Sequence, residues 1–183
     1  SLRRALRLPL LVKKILPTIM KKVYIYPGTF CPPHHGHAAL ANRAAAAFGN
    51  VLVICSVNPV KKEKNIFTPE ECKKMWQTYG LRRGVKIATL DEFLKKRNQN
   101  DMTVMIRGIR DNNDIIYENA VMIYNRDNFG VNHYHYIIGD KEFEKFSSTA
   151  VRAAAESGNQ EKLNKLVNPQ IAALILAKFR RKN

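Results

Sequence analysis

The sequence predicts an α/β fold, a doubly wound and mainly parallel five-stranded sheet with helices at its C-terminal end. Three observations point there. Short apolar runs rich in β-branched residues, Val51 to Val57 above all, have the character of strands buried on both faces. Segments of helical composition alternate with them, which is the βαβ pattern of a parallel sheet. The polar residues best suited to chemistry follow the strands, where such sheets bind ligands.

Taken in order, Val23 to Tyr26 is the first strand, and Pro27-Gly28 stops it. Ala38 to Phe48 is almost all alanine, a high-propensity helix able to pack closely on a sheet, and Gly49-Asn50 ends it. Val51 to Val57 is the second strand, broken by Asn58-Pro59, with Lys61, Lys62 and Lys64 in the polar loop beyond. Thr68-Pro69-Glu70-Glu71 combines an N-cap, a proline at the first helical position and an acid three residues after the cap. That helix is expected to reach about Tyr79.

Val85 to Leu90 reads as the third strand, Asp91 to Arg97 as a short helix with acids first and bases last, and Thr103 to Ile106 as the fourth strand. Between Asn113 and Arg126 the residues Ile116, Ala120, Ile123 and Tyr124 recur at helical spacing, predicting an amphipathic helix with these on its buried face. Tyr134 to Ile138 is the fifth strand, its alternating His133, Tyr134, His135 and Tyr136 read as sheet packing, and Gly139 to Phe146 a loop. Ser147-Ser148-Thr149 starts another helix, Gly158-Asn159 breaks it, and the remainder, including Pro169 to Arg180, is helical.

Length and a 45% hydrophobic content fit one domain over residues 20–183, preceded by a basic extension over 1–19. That extension carries Arg3, Arg4, Arg7, Lys13 and Lys14 among leucines and reads as a native or transit-like presequence or as upstream read-through. Three cysteines without pairing pattern or density argue against a disulfide framework and for a reducing, cytoplasmic setting. No run approaches a membrane span. The formal net charge of +16 calls for an anionic partner.

The stretch Tyr24 to His37, YIYPGTFCPPHHGH, says which anion. Strand, turn and helix N-terminus leave free backbone N–H groups and a positive dipole end at one spot, with His34 and His37 standing there. G-T-F-x-P followed by H-x-G-H resembles the phosphate-handling signature of the nucleotidyltransferase superfamily. Adenylyl transfer asks a protein mainly for alignment and neutralisation of charge. His37 can donate to α-phosphate oxygens, Lys61 can bridge the attacking phosphate and the α-phosphate, Arg110 can grip β- and γ-oxygens bidentately, and Thr29 can position the incoming phosphate. Ser147, Ser148 and Thr149 offer hydroxyl and backbone donors to the triphosphate end.

The ordered set YPGTF, HxGH, NPVKK, IFTPEE, IRGIRDNNDIIYE and FSSTAVR, from Val23 to Gly158, resembles the bacterial-type phosphopantetheine adenylyltransferases of coenzyme A synthesis. The resemblance implies the Rossmann-like nucleotidyltransferase fold, ATP and 4′-phosphopantetheine as substrates, magnesium, and a homo-oligomer, commonly a hexamer. It implies Thr29, Lys61 and Arg107 on the phosphopantetheine side. On the ATP side it implies Phe30, His34, His37, Gly108, Ile109, Arg110, Glu118, Phe146, Ser147, Ser148, Thr149 and Arg152. No protein-bound metal site and no specific nucleic acid are expected. Two residues depart from the family pattern: Cys31 stands where aspartate is usual, and His34 where threonine is frequent. SSTAVR is also similar to nicotinate and nicotinamide mononucleotide adenylyltransferases, which makes such a mononucleotide the alternative acceptor.

Other uses of these residues stay open at this stage. Bunched histidines near Cys31 could hold zinc; Lys61 could belong to a solvated charge run; Arg107 and Arg110 could pair with Asp111, Asp114 or Glu118; the serines could serve as a helix cap. The basic composition also admits a nucleic-acid or anionic-surface binder, and Cys31 an inactive relative. His35 reads as a solvated loop residue, and Cys55 and Cys72 as thiols without a role.

Overall fold

The computed structural model describes residues 20–57 and 65–180, so the expected extension over 1–19 and Lys61 lie outside the described residues. Five strands, β1 (Lys22–Gly28), β2 (Val51–Cys55), β3 (Val85–Thr89), β4 (Met102–Ile109) and β5 (His133–Ile138), form one sheet in the order β3-β2-β1-β4-β5. Every pairing is parallel. Strand order reverses between β1 and β4, which opens a crevice beyond their carboxyl ends.

The helices are α1 (His35–Phe48), α2 (Pro69–Trp76), α3 (Leu90–Lys96), α4 (Asn112–Phe129), α5 (Ser148–Glu156), α6 (Gln160–Leu166) and α7 (Pro169–Arg180). Alternation along each strand sorts the core into two layers. Tyr26, Val53, Cys55 and Ile106 face a core built with the alanines of α1, with Met75 and Trp76 of α2, and with Val151, Leu163 and Ile171 of α5 to α7. Ile25, Ile54 and Met105 face the other side, where Leu90 and Phe93 of α3 pack. Val53, Ile106 and Trp76 are fully buried, each contributing about 1.5–3 kcal/mol through burial.

The cap expected at Thr68 is present. Its hydroxyl accepts from Glu71 N at 3.2 Å and its N–H donates to Glu71 Oε2 at 2.7 Å. Lys178 Nζ reaches the other oxygen of Glu71 at 2.9 Å, tying α7 to α2.

Several boundaries differ from the sequence reading. Helix α1 begins at His35 rather than Ala38, which puts His37 inside its first turn. Leu90 belongs to α3, because Thr89 caps that helix and pairs reciprocally with Glu92. Strand β4 continues three residues past Ile106, so Arg107 and Gly108 are strand residues; a Cβ at Gly108 would collide with Leu40 of α1. A 3-10 turn at Lys141–Phe143 punctuates the loop after β5. Strand β5 is an edge strand with His133, His135 and Ile138 exposed; of the residues read as sheet packing, His135 packs against Phe48 at 4.8 Å.

Helix α4 departs most. It forms, capped by Asp111 at its start and by Gly130 in the left-handed region at its end, but its expected buried face is outside. Ile116 is 70% exposed, with Ile123 and Tyr124 also exposed, whereas Glu118 is 4% exposed. The reason is an ion pair, described below, that turns a carboxylate rather than an apolar stripe toward the sheet.

Candidate active site

At the end of β1 the chain passes through Thr29, half-buried, to Phe30, whose φ of 45° lies in the left-handed region. Aromatic packing holds it there. The Phe30 ring stands edge-on to Tyr26 and Trp76, both at 5.1 Å, and to His37 at 4.9 Å. Gly28 makes room, since a Cβ there would lie 2.8 Å from Phe30 Cζ.

Helix α1 then starts on His34. The His34 N–H donates to His37 Nδ1 at 3.3 Å, so Nδ1 is an acceptor and the proton of the neutral His37 ring sits on Nε2. The His34 ring stacks on His37 with centroids 3.6 Å apart. Its own Nδ1 is buried without a partner. Burial first, then the Arg110 and Arg107 charges, brings the His37 pKa down to about 3. Burial, followed by His37, Arg110 and His35, holds His34 well below the ordinary histidine range. Two neutral imidazoles can stack; two cations would repel.

That neutrality makes stability depend on pH. Unfolded histidine titrates near ~6.5, so below that value the unfolded chain binds protons that the folded chain does not. Stability should be full above it and fall as pH drops toward about 3, by about 1.4 kcal/mol per histidine per pH unit. Urea midpoints at decreasing pH would measure the slope, which should be shallower in a His37→Phe variant. An unchanged slope would contradict the buried neutral state.

His35 is not a solvated loop residue. It opens α1 and stands edge-on to Tyr79 at 5.6 Å.

Across the crevice, β4 delivers Arg107, Gly108 and Ile109. Arg107 forms a bidentate pair with Glu118 of α4, Nε to Oε2 at 2.8 Å and Nη2 to Oε1 at 2.6 Å, while Nη1 donates to Pro27 O at 2.9 Å. One guanidinium therefore joins β4, α4 and the end of β1. Ile109 lines a groove of about 250 Å³ with Ile115 and Met122 of α4 and Tyr136 of β5. Arg110 pairs with Asp114, Nε to Oδ2 and Nη2 to Oδ1 both at 2.9 Å, and its Nη1 donates to Phe146 O at 3.3 Å. The hydrogen bonds from Arg110 hold the Asp114 carboxyl below the usual carboxylate range. Both ion pairings left open by the sequence thus form.

The start of α5 closes the third side. The Ser147 hydroxyl accepts from Ala150 N at 3.0 Å as its N-cap. Ser148 Oγ donates to Pro32 O at 2.8 Å, and Arg152 donates to Cys31 O at 2.7 Å and to Thr149 Oγ1 at 3.0 Å. These bonds clamp α5 to the loop after β1. The N–H groups of Ser148 and Thr149, in the first helical turn, have no intrahelical acceptor.

Thr29, Phe30, His34, His37, Arg107 to Arg110 and Phe146 to Arg152 thus lie at or just beyond the carboxyl edge of the sheet, as the sequence places them. Trp76 went unrecognised as part of this region: the only tryptophan of the chain reads in sequence as one more apolar helix residue. Among the described residues no group of three or more His, Cys, Asp or Glu side chains is arranged to hold a metal ion. No helix among them is long and apolar enough to cross a membrane.

A cytidylyltransferase-like family model matches residues 25–154. The phosphopantetheine adenylyltransferase of Aquifex aeolicus is 30% identical over 165 residues, covering 87% of this chain and 98% of that one. Its counterpart from Leptospira biflexa is 28% identical over 144 residues, 76% and 87% of the two chains. Among solved structures, the nicotinic acid mononucleotide adenylyltransferase of Plasmodium falciparum superposes with a TM-score of 0.57 at 13% identity, over 89% of this chain and 96% of that one. That likeness shows the nucleotidyltransferase fold alone. Because the family model takes in the helix start at His34 and the R-G-I-R end of β4, and the Aquifex relative aligns over nearly its whole length, this chain is a nucleotidyltransferase of the cytidylyltransferase-like family and belongs with the phosphopantetheine adenylyltransferases.

Proposed function

We propose that the chain transfers the adenylyl group of ATP to the phosphate of 4′-phosphopantetheine, giving dephospho-coenzyme A and pyrophosphate. The observation that carries this reading is the neutral His37 donor at the start of α1, set beyond β1 across the strand-order reversal from Arg110. The name of the relatives supplies the acceptor.

In this reading an oxygen of the acceptor phosphate attacks the α-phosphorus of ATP and pyrophosphate leaves. His37 Nε2–H and the N–H groups at the start of α1 stabilise charge gathering on the α-phosphate oxygens. Thr29 and Lys61 hold the acceptor phosphate. Arg107 spends three N–H groups on Glu118 and Pro27, leaving two for that phosphate. Glu118 acts by orienting Arg107, since its oxygens receive those bonds. Arg110 likewise keeps two N–H groups beyond those given to Asp114 and Phe146, and these meet the β- and γ-phosphates together with the start of α5. Phe30, His34, Gly108 and Ile109 shape the nucleotide side, and Arg152 fixes the α5 start against the loop.

Among the described residues no group of three or more His, Cys, Asp or Glu side chains is arranged to hold magnesium, and a thiol at Cys31 is a poor ligand for so hard a cation. The ion would arrive on the triphosphate oxygens. Incubation with ATP, magnesium and 4′-phosphopantetheine should yield a product with the mass of dephospho-coenzyme A. Its absence, with the mononucleotide adduct formed from nicotinate mononucleotide instead, would overturn the acceptor.

A further inference from the structure

The candidate site does not account for the net charge of +16. At the carboxyl edge of the sheet Arg107, Arg110 and Arg152 are each engaged by a carboxylate or a carbonyl. A second concentration of positive charge stands at the opposite edge, where the strands begin. Lys21 and Lys22 lead into β1, and Lys21 O accepts from Met102 N at 2.9 Å, which sets them beside the start of β4. Arg82 and Arg83 precede β3, tied to the start of β2 by the bond from Val51 N to Gly84 O at 3.0 Å. Lys95, Lys96 and Arg97 end α3, and a turn closed by the bond from Asp101 N to Asn98 O carries the chain on to β4. All but the half-buried Arg97 are exposed. Asp101 is the acid set among them, while Arg126 and Asp127, near the end of α4, pair with each other at 2.8 Å.

Like charges gathered in this way repel, and the fold explains only some of them. The last turn of α3 favours cations through the helix dipole, and Lys86, exposed on the edge strand β3, discourages strand pairing. Neither reason applies to Lys21, Lys22, Arg82 and Arg83.

We propose that this edge is a docking surface for an anionic lipid bilayer, on which the chain lies with its catalytic edge toward the solvent. The length of β1, about 20 Å, separates the two edges. Exposed apolar side chains favour a bilayer over a nucleic acid. Met20 and Leu94, next to the cations, are 60% and 47% exposed and suit the boundary between headgroups and acyl chains. Segments 20–22, 82–86 and 94–101 hold no aromatic residue on which a base could stack. The sequence leading to Met20 has the same make-up, with Arg3, Arg4, Lys13 and Lys14 among leucines. Each cation close to an anionic leaflet strengthens binding about fivefold. The attraction is screened beyond ~8 Å at physiological ionic strength, so it demands contact by this edge.

The test sediments the full chain with vesicles of mixed phosphatidylserine and phosphatidylcholine, and in parallel with phosphatidylcholine alone. Binding to the anionic vesicles only is expected, lost as salt is raised and not displaced by duplex RNA added at equal total charge. Arg83→Gln, Lys95→Gln and Lys96→Gln combined should keep the unfolding midpoint and weaken binding by roughly 100-fold. Lys74→Gln, Lys162→Gln and Arg180→Gln combined remove the same charge from exposed positions elsewhere and should weaken it by under about fivefold. Leu94→Ser should weaken binding without changing its dependence on salt. Equal losses in the two triple variants would mean that net charge alone attracts the chain, and would overturn the surface. Release by duplex RNA would assign the edge to nucleic acid, and failure to sediment with either vesicle would overturn the proposal outright.

Discussion

Replacing His37 with alanine should lower kcat for adenylyl transfer by about 10²–10³-fold, the loss typical of one preorganised donor to a developing oxyanion. The side chain is fixed on three sides. His34 N–H holds Nδ1, Phe30 packs edge-on at 4.9 Å, and the His34 ring stacks at 3.6 Å. The donor is therefore in place before ATP binds. Because this donor is a neutral imidazole titrating at about 3, the acid limb of kcat/KM should not fall near ~6.5, where an unperturbed histidine would place it. Steady-state rates across pH for wild type and variant would check both statements. Wild-type kcat in His37→Ala would leave the backbone N–H groups of α1 as the sole stabiliser and remove His37 from the mechanism.

The largest expected effect on stability is at Glu118. Glu118→Ala would leave the Arg107 guanidinium buried against Pro27 O without its counter-charge. Breaking a buried pair on one side destabilises by about 3–5 kcal/mol. For a chain of this size that lowers Tm by roughly 6–20 °C. Replacing both partners, Arg107→Met with Glu118→Leu, should recover most of the loss, because two apolar groups need no partner. Thermal unfolding of the three variants settles it. A loss under about 1 kcal/mol in Glu118→Ala would mean that the pair behaves as a solvent-screened one.

That pair also explains where the sequence could be read and where it could not. Thr68, Pro69 and Glu71 declare their helix because capping is a contact among neighbours in the chain. The apolar run from Val51 declares a central strand by its composition, since a strand buried on both faces is apolar at nearly every position. The end of β4 is different. Arg107 and Gly108 look like a turn, and only Glu118 eleven residues on and Leu40 across the sheet make them strand residues. In α4 the spacing of Ile116 and Ile123 gives the helix correctly but its orientation wrongly, since the charge on Arg107 decides which side turns inward.

At the site, H-x-G-H and R-G-I-R were legible as residue types at fixed spacing. That Arg107 and Arg110 each divide their donors between a carboxylate and a backbone carbonyl was not. Nor was the seat of Cys31, whose Sγ accepts from Phe67 N and so joins the loop after β1 to a segment far along the chain.

The most direct test of the central claim is pyrophosphate release from the purified chain with ATP and magnesium, offered in parallel 4′-phosphopantetheine, nicotinate mononucleotide or no acceptor. Release with phosphopantetheine alone, abolished in His37→Ala, is the expected result. Release with the mononucleotide alone would keep the chemistry and overturn the acceptor, and no release from folded protein that still binds ATP would contradict adenylyl transfer itself.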